Sequence, residues 1–459
     1  MAHEMQEEGK EAGAVGHKVL VANRGEIAVR IIRACEELSL PTVAVYSAAD
    51  ADALHVRLAD EAVCIGPAPA SKSYLNIAAI LKAAGETGAG AIHPGYGFLA
   101  ENPGFAAACH AGGITFIGPS ADVIARMGDK AAARRLAREA GVPVVPGTSD
   151  TVDREAALAS AEQIGYPVMI KAAAGGGGKG IRTARSPEEL RTVMAAAERE
   201  ARAAFGDQSL YLEKLLVNPR HVEVQVLGDE HGNIIHLYER ECSMQRHRQK
   251  IIEEAPAAIR PETRHAMTAA ATRLARYVGY TNAGTMEFLV DGDENFYFIE
   301  MNTRIQVEHP VTEMITNVDL VREQIRSAFG EPLRLHQQDV PLVGHAIEFR
   351  INAEDPDRGF YPSPGQVTMV QVPGGPGVRL DSALYQGYAV QPFYDSLIGK
   401  LIVWHCGRQE AIVRGQRALR EYQLEGIKTT IPLHIQLLDD PVFVSGQYHT
   451  GYLEGLLAS

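Results

Sequence analysis

The segment GTMEFLVDGDENFYFIEMNTRIQVE, Gly284 to Glu308, leaves the chain few ways to fold. Two apolar-rich runs flank Asp291-Gly292, a dipeptide favoured in hairpin turns, so an antiparallel hairpin with a loop of several residues is expected. Pairing across that loop sets Glu287 opposite Glu300. Two facing carboxylates repel unless a cation or a proton lies between them. Beyond Glu300 the polar residues recur at every second position, as Asn302, Arg304, Gln306 and Glu308. Alternate side chains of an extended chain share a side, so this row is expected to line one face. Glu287, Glu300 and Asn302 offer oxygen donors of the kind magnesium takes together with substrate phosphates. The alternative is a solvated strand face with unrelated acids.

The first hundred residues set the fold class. KVLVA, Lys18 to Ala22, reads as a short buried strand, after which Ile27, Ala28, Ile31, Ile32, Cys35 and Leu38 recur at helical spacing. PTVAVYS is a second strand, SYLNIAAILKAA a helix and ITFIGP a further strand. Such alternation implies an α/β fold with a parallel sheet, Rossmann-like, reaching to about residue 117. Its first turn reads ANRGEIA rather than Gly-x-Gly-x-x-Gly, so the topology implies no NAD site.

A helix stopped by Gly141 follows, then a compact unit over 143–215. That unit has a strand, YPVMIKA, a glycine run, and a helix opened by Ser186-Pro187 with Glu189 completing a capping box. HVEVQVLGD and IIHLYERE read as strands and Asp319–Phe329 as a helix. The tail, 341–459, mixes strands with one helix at about Gln409–Leu424.

The net charge of −13 over 459 residues argues against nucleic-acid or anionic-membrane binding. No apolar run is long enough to span a membrane. Five scattered cysteines without Cys-x-x-Cys fit reduced thiols in a cytoplasmic protein. Residues 1–17 carry four Glu and read as a disordered tail, neither secretory signal nor transit peptide.

KAAAGGGGKG, Lys171 to Gly180, can bring backbone amides close to an anion, though it does not fit a Walker A loop. A flexible hairpin tip is the other reading; the flanking Lys171 and Lys179 favour a phosphate-covering flap. AIHPGYGFLAEN places Tyr96 and Phe98 on a tight turn at the carboxyl end of a strand, where open α/β sheets bind ligands. Lys250, Arg304 and Arg350 are cations near acids, and Glu308, held near cations, is a candidate base.

Taken together, ANRGEIA, IHPGYGFL, GGGGKG, NPRHVEVQV, YFIEMNTRIQVEHPVTE and RINAEDP resemble the biotin carboxylase family of the ATP-grasp superfamily, in that family's order from Lys18 to about Leu456. The resemblance implies a Rossmann-like domain (18–117), a linker (118–142), an ATP-grasp lid (143–215), an ATP-grasp core (216–340) and a C-terminal α+β domain (341–459). It implies that Lys130 and Lys171 meet the phosphates of ATP, with Gly177 and Gly178 in the flap. Glu213, Lys214, Leu215 and Leu216 form the adenine hinge in this reading, and His221 is a further nucleotide contact. Glu287, Glu300 and Asn302 bind magnesium or manganese. Lys250, Arg304, Gln306 and Val307 form the bicarbonate pocket, Glu308 is the base, Arg350 meets the ureido oxygen of biotin, and Tyr96 contacts biotin.

The implied activity is ATP- and bicarbonate-dependent carboxylation of biotin on a carrier protein, through carboxyphosphate. The chain ends without a biotinylation tetrapeptide, Ala-Met-Lys-Met, or a transferase domain. The expected setting is therefore a free-standing, homodimeric subunit of acetyl-CoA carboxylase, in fatty-acid synthesis, served by a biotin carboxyl carrier protein and a carboxyltransferase subunit. The alternative setting is a propionyl-CoA or pyruvate carboxylase. The rival functions are another ATP-grasp ligase and a catalytically silent nucleotide-binding subunit. One departure stands out: the family usually reads Gln-Arg-Arg-His-Gln-Lys where this chain has QRHRQK, Gln245 to Lys250, so Arg248 occupies the position of a nucleotide-contacting histidine.

Overall fold

The computed structural model describes residues 18–148, 151–172, 181–205 and 209–458. The expected tail over 1–17, Gly177, Gly178 and Lys179 lie outside the described residues. Strands β1 (Val19–Val21), β2 (Thr42–Ser47), β3 (Glu61–Gly66), β4 (Ala91–His93) and β5 (Thr115–Phe116) form a parallel sheet in the order β3-β2-β1-β4-β5. Helix Gly25–Glu37 buries Ile27, Ala28, Ile31, Ile32 and Cys35, the helical spacing read from the sequence. The turns after β1 and β4 are tied together, because Asn23 Nδ2 donates to the carbonyls of Pro94 and Tyr96, each at 2.7 Å. Gly95 has φ +63°, and a Cβ there would lie 2.9 Å from Asn23 Nδ2, so this junction requires glycine. The junction presents Tyr96 at the carboxyl end of the sheet.

Residues 118–142, expected as a linker, form helices Ala121–Gly128 and Lys130–Glu139. Val123, Met127, Ala133 and Ala137 pack in one core with Val222, Val224 and Phe298, so this stretch is part of the body rather than a loose connection. Strands β6 (Val168–Ala172), β7 (Ile181–Ala184) and β8 (Leu210–Lys214) make a small antiparallel sheet with β6 central. Helices Arg154–Ile164 and Pro187–Phe205 cover it. The latter starts as expected: Ser186 Oγ accepts from Glu189 N–H, though the Glu189 carboxylate reaches back to Arg185 N–H, one residue before the cap. Ala157, Ala161, Val168, Ile170, Leu190, Met194 and Leu212 give this unit an apolar core of its own.

The largest element is an eight-stranded sheet. Strands β9 (Arg220–Gly228), β10 (Ile234–Arg246), β11 (Gln249–Ala255), β12 (Asn282–Val290), β13 (Phe296–Asn302) and β14 (His345–Asn352) run β13-β12-β9-β10-β11-β14, and strands Leu397–His405 and Val378–Ser382 extend it past β14. One sheet therefore crosses the expected boundary at residue 340. The tail holds more helix than expected. Helix Arg408–Glu421 ends before Leu424, and Ile431–Asp439, Pro441–Ser445 and Tyr452–Ala458 follow. Among the described residues no helix is long and apolar enough to cross a membrane, and all five cysteines are free.

Candidate active site

Strands β9 and β12 alternate in side-chain character. In β9, Val222, Val224 and Val226 point into the apolar core, which leaves His221, Glu223 and Gln225 on the opposite face. The hairpin pairs as the sequence predicts, with Glu287 opposite Glu300. The ladder continues across the sheet, Glu287 opposite Glu223 and Glu223 opposite Arg240. Acids in cross-strand register repel, and here cations are placed among them. Arg240 Nε donates to Glu223 at 2.6 Å. Lys250 Nζ donates to Glu223 at 2.6 Å, to Glu308 at 2.6 Å and to Glu287 at 3.1 Å. His221 Nε2 lies 2.9 Å from Glu287, and Lys130 Nζ 2.7 Å from Glu300. Burial works against the charge on Lys250, yet the surrounding acids hold its ammonium well above the usual range. Burial likewise works against the Glu287 carboxylate, and Lys250 and His221 hold its pKa well below the ordinary value.

The alternating row from Glu300 does not continue as a strand. Strand β13 stops at Asn302, and residues 303–308 turn before helix His309–Thr316. Glu101, from the turn region after β4, accepts from Thr303 N–H at 3.1 Å and from Arg304 Nε at 2.9 Å and draws the chain out of the sheet. The five side chains still converge. Arg304 also donates to Ile305 O and Gln306 Oε1, Gln306 Nε2 donates to Glu287 at 3.1 Å, and Val307 O accepts from the buried Lys400 Nζ at 2.8 Å. Glu308 is fully buried. One of its oxygens takes Lys250 and the other accepts from Arg350 Nη2 at 3.0 Å. Burial opposes its charge, but Lys250, Arg350 and Arg240 keep the carboxyl ionised far below its usual range. Arg350 Nε donates to Glu253 at 2.6 Å.

An open cleft of about 790 Å³ runs over this face. It brings together Tyr96, His221, Lys250, Glu287, Glu300, Asn302, Arg304, Gln306, Val307 and Arg350. Tyr96 OH donates to the buried Glu26. Lys171 pairs with Glu213, which Arg134 also engages, so the Glu213 side chain is committed to this seam. Within the expected hinge, Lys214 Nζ donates to the carbonyls of Gly165 at 2.8 Å and Tyr166 at 3.0 Å. Leu215 N–H donates to Pro167 O, and neither Leu215 nor Leu216 lines the cleft.

The exchanged pair forms a two-residue turn. Arg246 pairs with Gln249, and His247 (φ +48°) and Arg248 (φ +67°) form the tip. His247 borders the cleft, with its backbone N–H donating to Glu454 at 2.7 Å and its ring Nδ1 3.3 Å from the same carboxylate. Arg248 lines the cleft. Burial, then Arg134, Arg248 and Lys130, push the Lys171 ammonium down to about 8. These four cations crowd one place.

Three family models match the chain in succession: "Biotin carboxylase, N-terminal domain" over 15–124, "Carbamoyl-phosphate synthase L chain, ATP binding domain" over 129–336, and "Biotin carboxylase C-terminal domain" over 348–455. Biotin carboxylase 1 of Bacillus subtilis is 56% identical over 440 residues, 95% of this chain and 98% of that one. The chain belongs to the biotin carboxylase family. A pyruvate carboxylase subunit from Methanothermobacter thermautotrophicus is 55% identical over 439 residues, covering 95% of this chain and 89% of that protein. The biotin carboxylase domain dimer of Hydrogenobacter thermophilus 2-oxoglutarate carboxylase, solved with MgADP, ADP and bicarbonate, has a TM-score of 0.86 and 53% identity, covering 95% of this chain and 97% of that one. A biotin carboxylase is an ATP-dependent ligase whose reaction uses ATP, magnesium, bicarbonate and biotin.

The residues present fit such a metal. Glu287, Glu300 and Asn302 are an all-oxygen donor set on adjacent strands, which suits a hard divalent cation. Their negative charge is offset by Lys130, Lys250 and His221.

Sequence reasoning missed Glu223, Arg240, Glu253, Glu348 and Lys400, each a buried polar residue of a biotin carboxylase strand. The signal was present in HVEVQV and AIEFRI, where one polar residue recurs at period two inside an apolar run.

Proposed function

We propose that this chain uses ATP and bicarbonate to carboxylate biotin held on a separate carrier protein, as the biotin carboxylase subunit of a cytoplasmic acetyl-CoA carboxylase. It acts as a homodimer alongside a carboxyltransferase subunit. The observation that carries the reading is the position of Lys250 and Glu308. Lys250 bridges Glu287, among the metal donors, to Glu308, and Glu308 is bonded in turn to Arg350. Three reactants that must meet thus have one continuous set of receiving groups.

Residues 143–215 act as the lid over the nucleotide, 216–340 as its platform, 18–117 as the domain that brings Tyr96, and 341–459 as the domain that brings Arg350. Lys130 and Lys171 bind the phosphates of ATP. Magnesium, when held by Glu287, Glu300 and Asn302, neutralises phosphate charge. Lys250, Arg304, Gln306 and the Val307 backbone hold bicarbonate. Glu308 takes its proton, and the oxygen freed attacks the γ-phosphorus as ADP leaves, giving carboxyphosphate. In the resting site Lys250 and Arg350 hold Glu308 too acidic to be an effective base. Its basicity rises when those cations turn toward bound anions. Carboxyphosphate then separates into carbon dioxide and phosphate. The phosphate accepts the ureido N–H proton of biotin, and Arg350 donates to the ureido oxygen as negative charge develops there. The nitrogen attacks carbon dioxide to give carboxybiotin. Lid closure keeps water from the labile intermediate.

A second setting, pyruvate carboxylation, shares the same half-reaction, and one relative is a pyruvate carboxylase subunit. ADP release tests the shared half-reaction, with bicarbonate and free biotin each added or omitted. Release should require bicarbonate and rise with biotin. A requirement for ammonia or an amino acid in place of bicarbonate would point to another ligase.

A further inference from the structure

Behind Arg350 lies a pair of acids that the reaction above does not use. Glu253 on β11 stands directly opposite Glu348 on β14. Directly opposed side chains share a face, with Cβ atoms ~5 Å apart. Both residues are fully buried. One oxygen of Glu253 accepts from Arg350 Nε at 2.6 Å. Its other oxygen, and both oxygens of Glu348, have no hydrogen-bond partner among the described residues. Two buried carboxylates in cross-strand register, with three unpartnered oxygens between them, are strongly disfavoured as a doubly charged pair. A proton on Glu348 changes that, because its hydroxyl can donate to the free oxygen of Glu253 and satisfy both atoms.

The surrounding charges are few and mostly committed. Arg350 and Lys250 come from β14 and β11, Lys400 from strand Leu397–His405, Cys242 from β10, Glu308 from the start of its helix, and Tyr96 from the turn after β4. Lys400 is spent on Val307 O and Glu26, and Lys250 on Glu223, Glu287 and Glu308. That leaves Arg350 as the one nearby cation bonded to the pair, and it is bonded to Glu308 as well. Burial pushes Glu253 up to about 7 and Glu348 well above the usual carboxyl range.

We propose that Glu253 and Glu348 hold one proton between them at neutral pH, and that this shared proton leaves Arg350 available to biotin. Loss of the proton to solvent base at alkaline pH puts a second full negative charge behind the guanidinium and turns it back into the sheet. Glu253 and Glu348 are thus positioning residues for biotin carboxylation, acting through Arg350. The inference rests on the assignment of Arg350 to biotin.

The test pairs infrared spectroscopy with kinetics on the full chain and on Glu348→Gln, whose amide imitates the protonated acid. Without substrates, the wild-type protein should show the C=O stretch of a protonated carboxyl group at neutral pH, lost at alkaline pH and lacking in Glu348→Gln. Carboxybiotin formed per bicarbonate-dependent ADP released should fall in step in the wild type, by about tenfold for each pH unit beyond the midpoint. In Glu348→Gln the same ratio should stay level. A wild-type spectrum without the band, a band unchanged in Glu348→Gln, or an equal fall of the ratio in both proteins overturns the proposal. Should the variant not fold, the wild type decides alone: the band and the ratio must titrate together, and a ratio that falls while the band persists overturns it. Failure of the functional reading is distinguishable, since ADP release would then ignore bicarbonate while the band still reports the proton.

Discussion

Lys171 and Lys250 experience opposite fields. Lys250 sits on the sheet face with Glu223, Glu287 and Glu308 within hydrogen-bond reach, and these acids raise its ammonium against the effect of burial. Lys171, on the central strand of the small sheet, has one acid, Glu213, and is pushed down by burial and by Arg134, Arg248 and Lys130. The sheet face is charge-complete before any substrate arrives. The surroundings of Lys171 carry more cations than acids, an excess that a bound polyanion would relieve. Preorganised charge belongs where bonds change, because it costs no reorganisation during the reaction. Unrelieved charge belongs where a ligand must be drawn in and a lid pulled shut. On this account nucleotide binding is the event that completes the lid, while the chemistry is done by a face already built.

The sharpest way to break the comparison is to open the complete network. Lys250→Ala leaves Glu223, Glu287 and Glu308 buried without their common cation. Removing one partner of a buried pair costs ~3–5 kcal/mol, so denaturant unfolding should show a loss of that order together with loss of turnover. A variant as stable as the wild type would mean that the face is not charge-complete. Lys171→Gln should do the reverse, relieving repulsion and leaving stability level or higher. The KM for ATP should rise about 10–100-fold, the worth of a charge-assisted hydrogen bond of ~1.5–3 kcal/mol. An unchanged KM would remove Lys171 from the phosphate site.

The smallest effect is a proton. Lys171 is held near 8 in the free protein, and a bound triphosphate raises it. Nucleotide binding should therefore take up part of a proton near pH 8, and affinity should fall as pH rises through that value. Calorimetry in buffers of different ionisation enthalpy measures the uptake. Proton release on binding would contradict the surplus-charge account.

How much of this was legible depended on sequence distance. Glu287 opposite Glu300 could be read because one local turn sets the register. The row after Asn302 was expected to stay extended, and it turns instead. The partner that bends it, Glu101, lies about two hundred residues away in sequence and could not be seen. The same holds for Arg350 and Lys250, brought to one face because β14 and β11 pair across some hundred residues of chain. Lys214 shows the converse. Its ammonium donates to two carbonyls of its own unit, which no local pattern around Glu213 announced. Buried acids such as Glu348 were passed over because a single polar residue in an apolar strand gives no local sign of what it meets.

The central claim is a division of labour along the paired face, with Glu308 serving bicarbonate and Arg350 serving biotin. ADP release and carboxybiotin, measured in parallel for Glu308→Gln and Arg350→Ser, test it most directly. Arg350→Ser should keep bicarbonate-dependent ADP release near the wild-type rate while carboxybiotin falls ~10²–10³-fold, the usual cost of losing one oxyanion donor. Glu308→Gln should lose both. If Arg350→Ser abolishes ADP release as completely as Glu308→Gln does, Arg350 belongs to activation and the division does not exist.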